Sequence, residues 1–231
     1  MNCIDAASNK ARALSLGHHE VNAGGFTVQA AAWSGCFGYE IGCSWLTLPS
    51  DMHLETGMVY TFSAGRTNSP DCDQHIWFPQ AFDSPPKIAV WIQEFEYHQN
   101  DYMSIKCFAT EITPNSFHLR IESWANRKFT NVRVQWLAYP AEEDGKRVKA
   151  SRNMVLRAQK ETSNRAPFYG QPFKNTPKTF IAVSELDFGI DRNLRFRCSA
   201  NAPNNRELEW KYGTWDDTNM DHAEVQWLAI E

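Results

Sequence analysis

Arg195, Trp215 and Asp216 are the residues of this chain whose types and placement best suit chemistry. An indole face covers the apolar C–H groups of a sugar ring, while a guanidinium and a carboxylate take hydroxyls in fixed directions. Hydrogen bonds to charged groups contribute about 1.5–3 kcal/mol each, enough to orient a sugar without making its binding tight. Strand parity brings these residues together, because successive side chains point to opposite faces. Arg195 alternates with Leu194, Phe196 and Cys198, and Trp215 lies an odd number of residues from Leu208, Trp210 and Tyr212. Both point away from the apolar face, and they line one surface if their strands are sheet neighbours. The plainer alternative is an Arg195 that is solvated or paired with Asp216, beside a Trp215 that packs on another part of the chain.

Other chemistries find less support. Asp216, Asp217 and Asp221 could hold a cation or serve as glycosidase carboxylates, but no Ca²⁺-loop spacing accompanies them. No Ser/His/Asp, Cys/His or Gly-rich phosphate signature is present, and no Cys/His zinc spacing, so neither enzyme, cofactor nor metal is expected. A net charge of −4 over 231 residues leaves no basic footprint for nucleic acid. No window reaches the 18 or more apolar residues of a membrane helix. The opening Met-Asn-Cys-Ile-Asp-Ala-Ala lacks a secretory signal's charged start and apolar core. Location therefore stays open between extracellular and cytoplasmic. Cys107 and Cys198 read as equivalent buried thiols, whereas Cys36 and Cys43 flank a turn and either pair across it or remain free.

The elements that must position these residues repeat. Trp215 and Trp227, Trp124 and Trp136, and Trp33 and Trp45 are three pairs of tryptophans twelve apart, each pair 91 residues from the next. The offset divides the chain at the equivalent Pro49 and Pro140 into segments 1–49, 50–140 and 141–231, the first only half length. β-branched and aromatic residues alternate with polar ones between Gly, Pro, Asn and Asp clusters, so the strand pattern is strong. In segment 141–231 the inward sets are Leu194, Phe196 and Cys198, then Leu208, Trp210 and Tyr212, then Ala223, Val225, Trp227 and Ala229. The half segment has Leu14 and Leu16, then Phe26, Val28 and Ala30, then Ile41, Cys43, Trp45 and Thr47 in the same places. With no helical spacing over three turns, the chain reads as an all-β sandwich of short strands. The half segment lacks its leading strands, which come either from a longer chain or from elsewhere.

Taken in order, Pro86-Lys87-Ile88-Ala89-Val90, Leu186-Asp187, Asn193-Leu194-Arg195, Thr214-Trp215 and Gln226-Trp227-Leu228 resemble the H-type lectin family of snail agglutinins and discoidins. The spacing from Pro177 to Trp227 matches that family without a gap. The resemblance implies tandem six-stranded antiparallel β-sandwiches binding galactose or N-acetylgalactosamine without metal, in glycan recognition or cell adhesion. The family assembles as trimers, so three segments in one chain imply an intramolecular pseudo-trimer. The alternative is a structural or protein-interaction module that keeps the fold with degenerate sugar sites.

Family contacts carried over residue by residue fall on Arg195, Trp215 and Asp216 in segment 141–231, where Ala158 replaces an early-loop Asp and Asp221 a neighbour's Tyr. Segment 50–140 keeps Trp124, with Ser104 for the Arg, Ala125 after the Trp, and Thr67 in the position of the early-loop Asp. Segment 1–49 keeps Trp33, Ser34 and Tyr39, with Ala13 at the Arg position and Arg12 one residue out. Tyr39 is placed to reach the site of an adjacent segment.

Overall fold

Alternating apolar and polar residues build an all-β molecule, described by a computed structural model over residues 1–7, 12–62, 72–97, 103–124, 129–156, 161–189 and 192–231. The first strands are β1 (Cys3–Ala6), β2 (Arg12–Asn22), β3 (Gly25–Ala32) and β4 (Gly38–Gly42). Six follow over residues 50–140: β5 (Glu55–Phe62), β6 (Cys72–Trp77), β7 (Lys87–Tyr97), β8 (Met103–Thr110), β9 (Ser116–Glu122) and β10 (Phe129–Tyr139). Pro140 then ends β10 and opens a single 3₁₀ turn, Ala141–Glu143. The last six are β11 (Val148–Leu156), β12 (Thr162–Pro167), β13 (Lys178–Phe188), β14 (Leu194–Asn201), β15 (Glu207–Gly213) and β16 (Met220–Ile230).

Each six-strand run folds into two three-stranded ribbons, β5-β10-β7 with β6-β9-β8, and β11-β16-β13 with β12-β15-β14. This is the six-stranded antiparallel sandwich of the expected fold class. The ribbons then join end to end into three antiparallel sheets: β11-β16-β13-β8-β9-β6, β3-β2-β7-β10-β5 and β12-β15-β14-β1-β4. Three seams hold them together, β13 against β8, β7 against β2, and β14 against β1.

The expected inward sets fill one large core. Leu194, Phe196, Cys198, Leu208, Ala223, Val225, Trp227 and Ala229 lie in it with their counterparts Met103, Ile105, Cys107, Phe117, Leu119, Ile121, Val132, Val134 and Trp136. Burial in this core pushes the Cys107 and Cys198 thiols up to about 12. The long strands β7, β10, β13 and β16 also bury their opposite faces. There Ala89, Trp91, Leu137, Tyr139, Phe180, Leu228 and Ile230 make a second cluster, with Trp91 and Phe180 in ring contact at 4.8 Å. Parity assigned one apolar face per strand, and packing between sheets buries two.

The half segment departs from expectation in two ways. β4 stops at Gly42, although its counterparts β10 and β16 run on for six more residues. β4 pairs with β1 as far as Gly42, which lies opposite Cys3. Cys43, Trp45 and Thr47 are exposed, as are Phe26, Val28 and Ala30 of β3, where parity placed them in a buried core. Cys36 and Cys43 do not pair, and all six thiols are free. Cys36 packs on the main core, while the exposed Cys43 lies beyond the end of β4.

Candidate functional site

The expected neighbourhood of Arg195 and Trp215 holds at the level of strands, for β14 and β15 pair antiparallel with Arg197 opposite Gly213. Register alone would set Arg195 level with Trp215, two residues beyond that pair. Asp216, immediately after the tryptophan, turns the chain in the left-handed region at φ 52°, and Ser34 does the same after Trp33 at φ 53°. The short polar side chains of Asp and Ser tolerate that conformation better than β-branched ones do.

Arg195 sits at a meeting of three carboxylates. Its Nη1 donates to Asp217 Oδ1 at 2.9 Å and lies 3.6 Å from Asp216 Oδ2. Its Nε faces Asp5 Oδ1 at 3.4 Å, an ion pair without hydrogen-bond alignment, since both atoms are buried with no hydrogen-bond partner. Arg192 Nη1 holds the other oxygen of Asp217 at 3.1 Å. The Trp215 ring is covered by Arg197, two residues on from Arg195 and of the same parity, with its Cζ 5.4 Å from the ring centroid. Arg197 in turn pairs with Glu161 at 2.9 Å.

Asp5 comes from the other end of the chain, and sequence reasoning passed over it. It lies on β1 directly opposite Arg195 on one side and Glu40 of β4 on the other, so that Glu40, Asp5 and Arg195 form one row across three strands. Tyr39 is the residue before Glu40 on that same β4, with its ring largely exposed. The carboxylates around Arg195 are therefore gathered at the β14/β1 seam, and Tyr39 lies on β4, the strand on the far side of β1, at the point where the register shifts between Glu40 and Gly38. Asp221, which stands in the position of the Tyr that reaches a neighbouring site, belongs to β16 and hence to the strands around a different seam.

The other seams repeat the row with other residues. At β13/β8, Asp187 is opposite Ser104, and Ser104 Oγ donates to the Trp124 carbonyl at 3.0 Å. Trp124 folds across this seam: its Nε1 donates to Asp187 Oδ2 at 2.8 Å, and its ring stacks on His222, 5.6 Å between centroids and 9° from parallel. His222 Nε2 lies 2.5 Å from Glu185 Oε1, and Lys106 Nζ lies 2.6 Å from that residue's other oxygen. At β7/β2, Glu96 is opposite Ala13, accepts from Ser34 Oγ at 2.5 Å and from Asn131 Nδ2 at 3.0 Å. Trp33 lies in the turn above, its amide donating to the Ala13 carbonyl at 3.3 Å. Arg12 turns away from Ala13's face and donates to the Gly189 and Arg192 carbonyls at 2.9 Å each.

Asp5, Glu96 and Asp187 recur at the same offset of 91 as the tryptophans. That recurrence of an acid was the signal available in the sequence. Thr67, Ala125 and Ala158 lie outside the described residues. Among the described residues no group of three His, Cys, Asp or Glu is arranged to hold a metal ion, and no helix is long and apolar enough to cross a membrane.

An all-β sandwich with an Arg, a Trp and carboxylates gathered where two ribbons meet has the make-up of a sugar-binding module. The family model of the H-type lectin domain matches residues 73–139 and 165–230, and the chain belongs to that family, a carbohydrate-binding and non-enzymatic one. No curated protein matches the chain. The protein is thus a carbohydrate-binding lectin in its general class.

Proposed function

We propose that this lectin recognises terminal galactose or N-acetylgalactosamine on glycoproteins, in glycan recognition or cell adhesion, through the β14/β1 seam. The reading rests above all on Asp5 facing Arg195 at 3.4 Å across two strands. In this role the face of Trp215 opposite Arg197 covers the apolar side of the sugar, and Arg195 donates to ring hydroxyls. Asp5 and Asp216 accept from hydroxyls, and Tyr39 closes the side facing β4. The three segments 1–49, 50–140 and 141–231 then act as a pseudo-trimer within one chain, each seam taking one ribbon from each of two segments.

At the β13/β8 seam a structural role is the better reading. Trp124 already spends its N–H on Asp187 and its ring face on His222. At β7/β2, Trp33 has only Ala13 where a cation would stand, which leaves Glu96 and Ser34 to contribute hydroxyl contacts without one.

Titration with N-acetylgalactosamine and galactose, followed by calorimetry or saturation-transfer NMR, tests the assignment. Loss of one charged hydrogen-bonding group is expected to weaken binding by about 1.5–3 kcal/mol, or about ten- to a hundredfold, in Arg195→Ala. Trp124→Phe should leave the same titration unchanged. A fully folded Arg195→Ala variant with undiminished affinity, or a wild-type chain that binds neither sugar, would refute the proposal.

A further inference from the structure

Two of the six sheet edges differ in kind from the rest. The sheets end on β12, β5, β11 and β6, all leading strands of their segments, and on β3 and β4. The counterparts of β3 are β9 and β15, which β6 and β12 cover; those of β4 are β10 and β16, which β5 and β11 cover. Among the described residues, only β3 and β4 are inner-type strands left at an edge.

The side chains record the difference. Trp136 and Trp227 are 4% and 7% exposed beneath their covering strands, whereas their counterpart Trp45 is 59% exposed. Phe117 and Leu208 are buried, and their counterpart Phe26 is 37% exposed. Phe26 and Trp45 meet edge to face at 5.3 Å beside a cavity of about 460 Å³, lined also by Leu16, Val28 and Leu48. Apolar surface of this kind along unpaired backbone groups is a template for strand addition.

We propose that the β3 edge and the edge running from β4 through residues 43–48, with the cavity that β3 and residues 43–48 line, form a docking surface for a polypeptide segment external to residues 1–231, which adds one antiparallel strand to each edge. The two complete segments define its chemistry. The strand that covers the tryptophan sets a small residue opposite it, Gly57 opposite Trp136 and Ser151 opposite Trp227. A Cβ at Gly57 would stand 2.7 Å from the Trp136 ring, so the incoming strand carries glycine or serine opposite Trp45. The strand that covers β9 or β15 sets Ile76 opposite Phe117 and Ala166 opposite Leu208, so an apolar residue faces Phe26. A second copy of the chain is a poorer occupant, because its own leading strands are all engaged in these pairings and would have to leave them.

A peptide with the sequence of residues 50–83 carries both strands in order and serves as the probe. Added to the full-length chain, it should bind saturably at one to one and blue-shift tryptophan emission, a shift that Trp45→Phe removes. Hydrogen exchange should slow in β3 and across residues 38–48. Trp45→Lys in the protein, and separately Gly57→Leu in the peptide, should each weaken binding about tenfold or more. Trp45 is exposed, so its substitution leaves the fold intact, and unchanged exchange in β13 and β16 verifies this. Absence of saturable binding, or binding indifferent to both substitutions, overturns the proposal. So does a homodimer of the chain that already protects β3 and residues 38–48 without peptide.

Discussion

Asp5 and Asp217 both face Arg195, yet their surroundings move them in opposite directions. Burial raises the Asp5 carboxyl above the ordinary aspartate range, overcoming the pull of Arg195, with Glu40 and Asp216 adding to the rise. The hydrogen bond from Arg195, helped by Arg192, holds Asp217 below that range. The linkage signs follow. Asp217 contributes stability that is present above the ordinary aspartate value and is lost only as pH falls through its lowered one. Asp5 favours the fold most below the ordinary value, and that contribution disappears as pH rises through its raised one. Asp5→Asn is therefore expected to gain stability at about pH 7 and to gain none at about pH 3, while losing sugar affinity at the higher pH. Denaturant midpoints at the two pH values check the first part, and a neutral-pH midpoint below wild type would show that the pair with Arg195 outweighs burial. Such a trade of stability for a poised carboxylate suits a residue kept for a ligand.

At the scale of the strand, the same tryptophan serves three times in two environments. Trp136 and Trp227 fill the core under β5 and β11, and replacing either with Ala is expected to cost about 3–5 kcal/mol in chemical denaturation. Trp45→Ala, at the uncovered counterpart, should cost well under about 1 kcal/mol. Equal losses at all three would mean that Trp45 is covered in solution. Alternation made the individual strands legible, and Leu194, Phe196, Cys198, Trp136 and Trp227 were all placed correctly by parity. Parity failed where burial depends on a neighbour rather than on the strand itself. It sent Trp45 and Phe26 inward because it presumed a cover, and it left Leu228 and Ile230 outward because the packing of one sheet on another leaves no alternation to read. The site was half legible for a related reason. Arg195 lies on β14, and Trp215 and Asp216 come just after the next strand, β15, but Asp5 is brought in by a pairing between ribbons that no local pattern announces.

For the molecule as a whole, the proposed pseudo-trimer joins its ribbons through three seams within one chain. The chain should have the solution mass of a monomer by light scattering, and a stable trimer of chains would count against that arrangement. Monosaccharide affinities near millimolar correspond to about 4 kcal/mol, so a chain with one well-equipped seam gains little from its threefold plan unless chains are themselves clustered. The rows across the seams carry a further consequence, for each couples a residue of one repeat to a residue of another: Asp5 to Arg195, Asp187 to Ser104, Glu96 to Ala13. Every seam thus has two parents. On the proposed reading a single codon change on either side of β14/β1 removes its sugar contacts, and a repeat cut out and grown alone carries half of two seams and the whole of none.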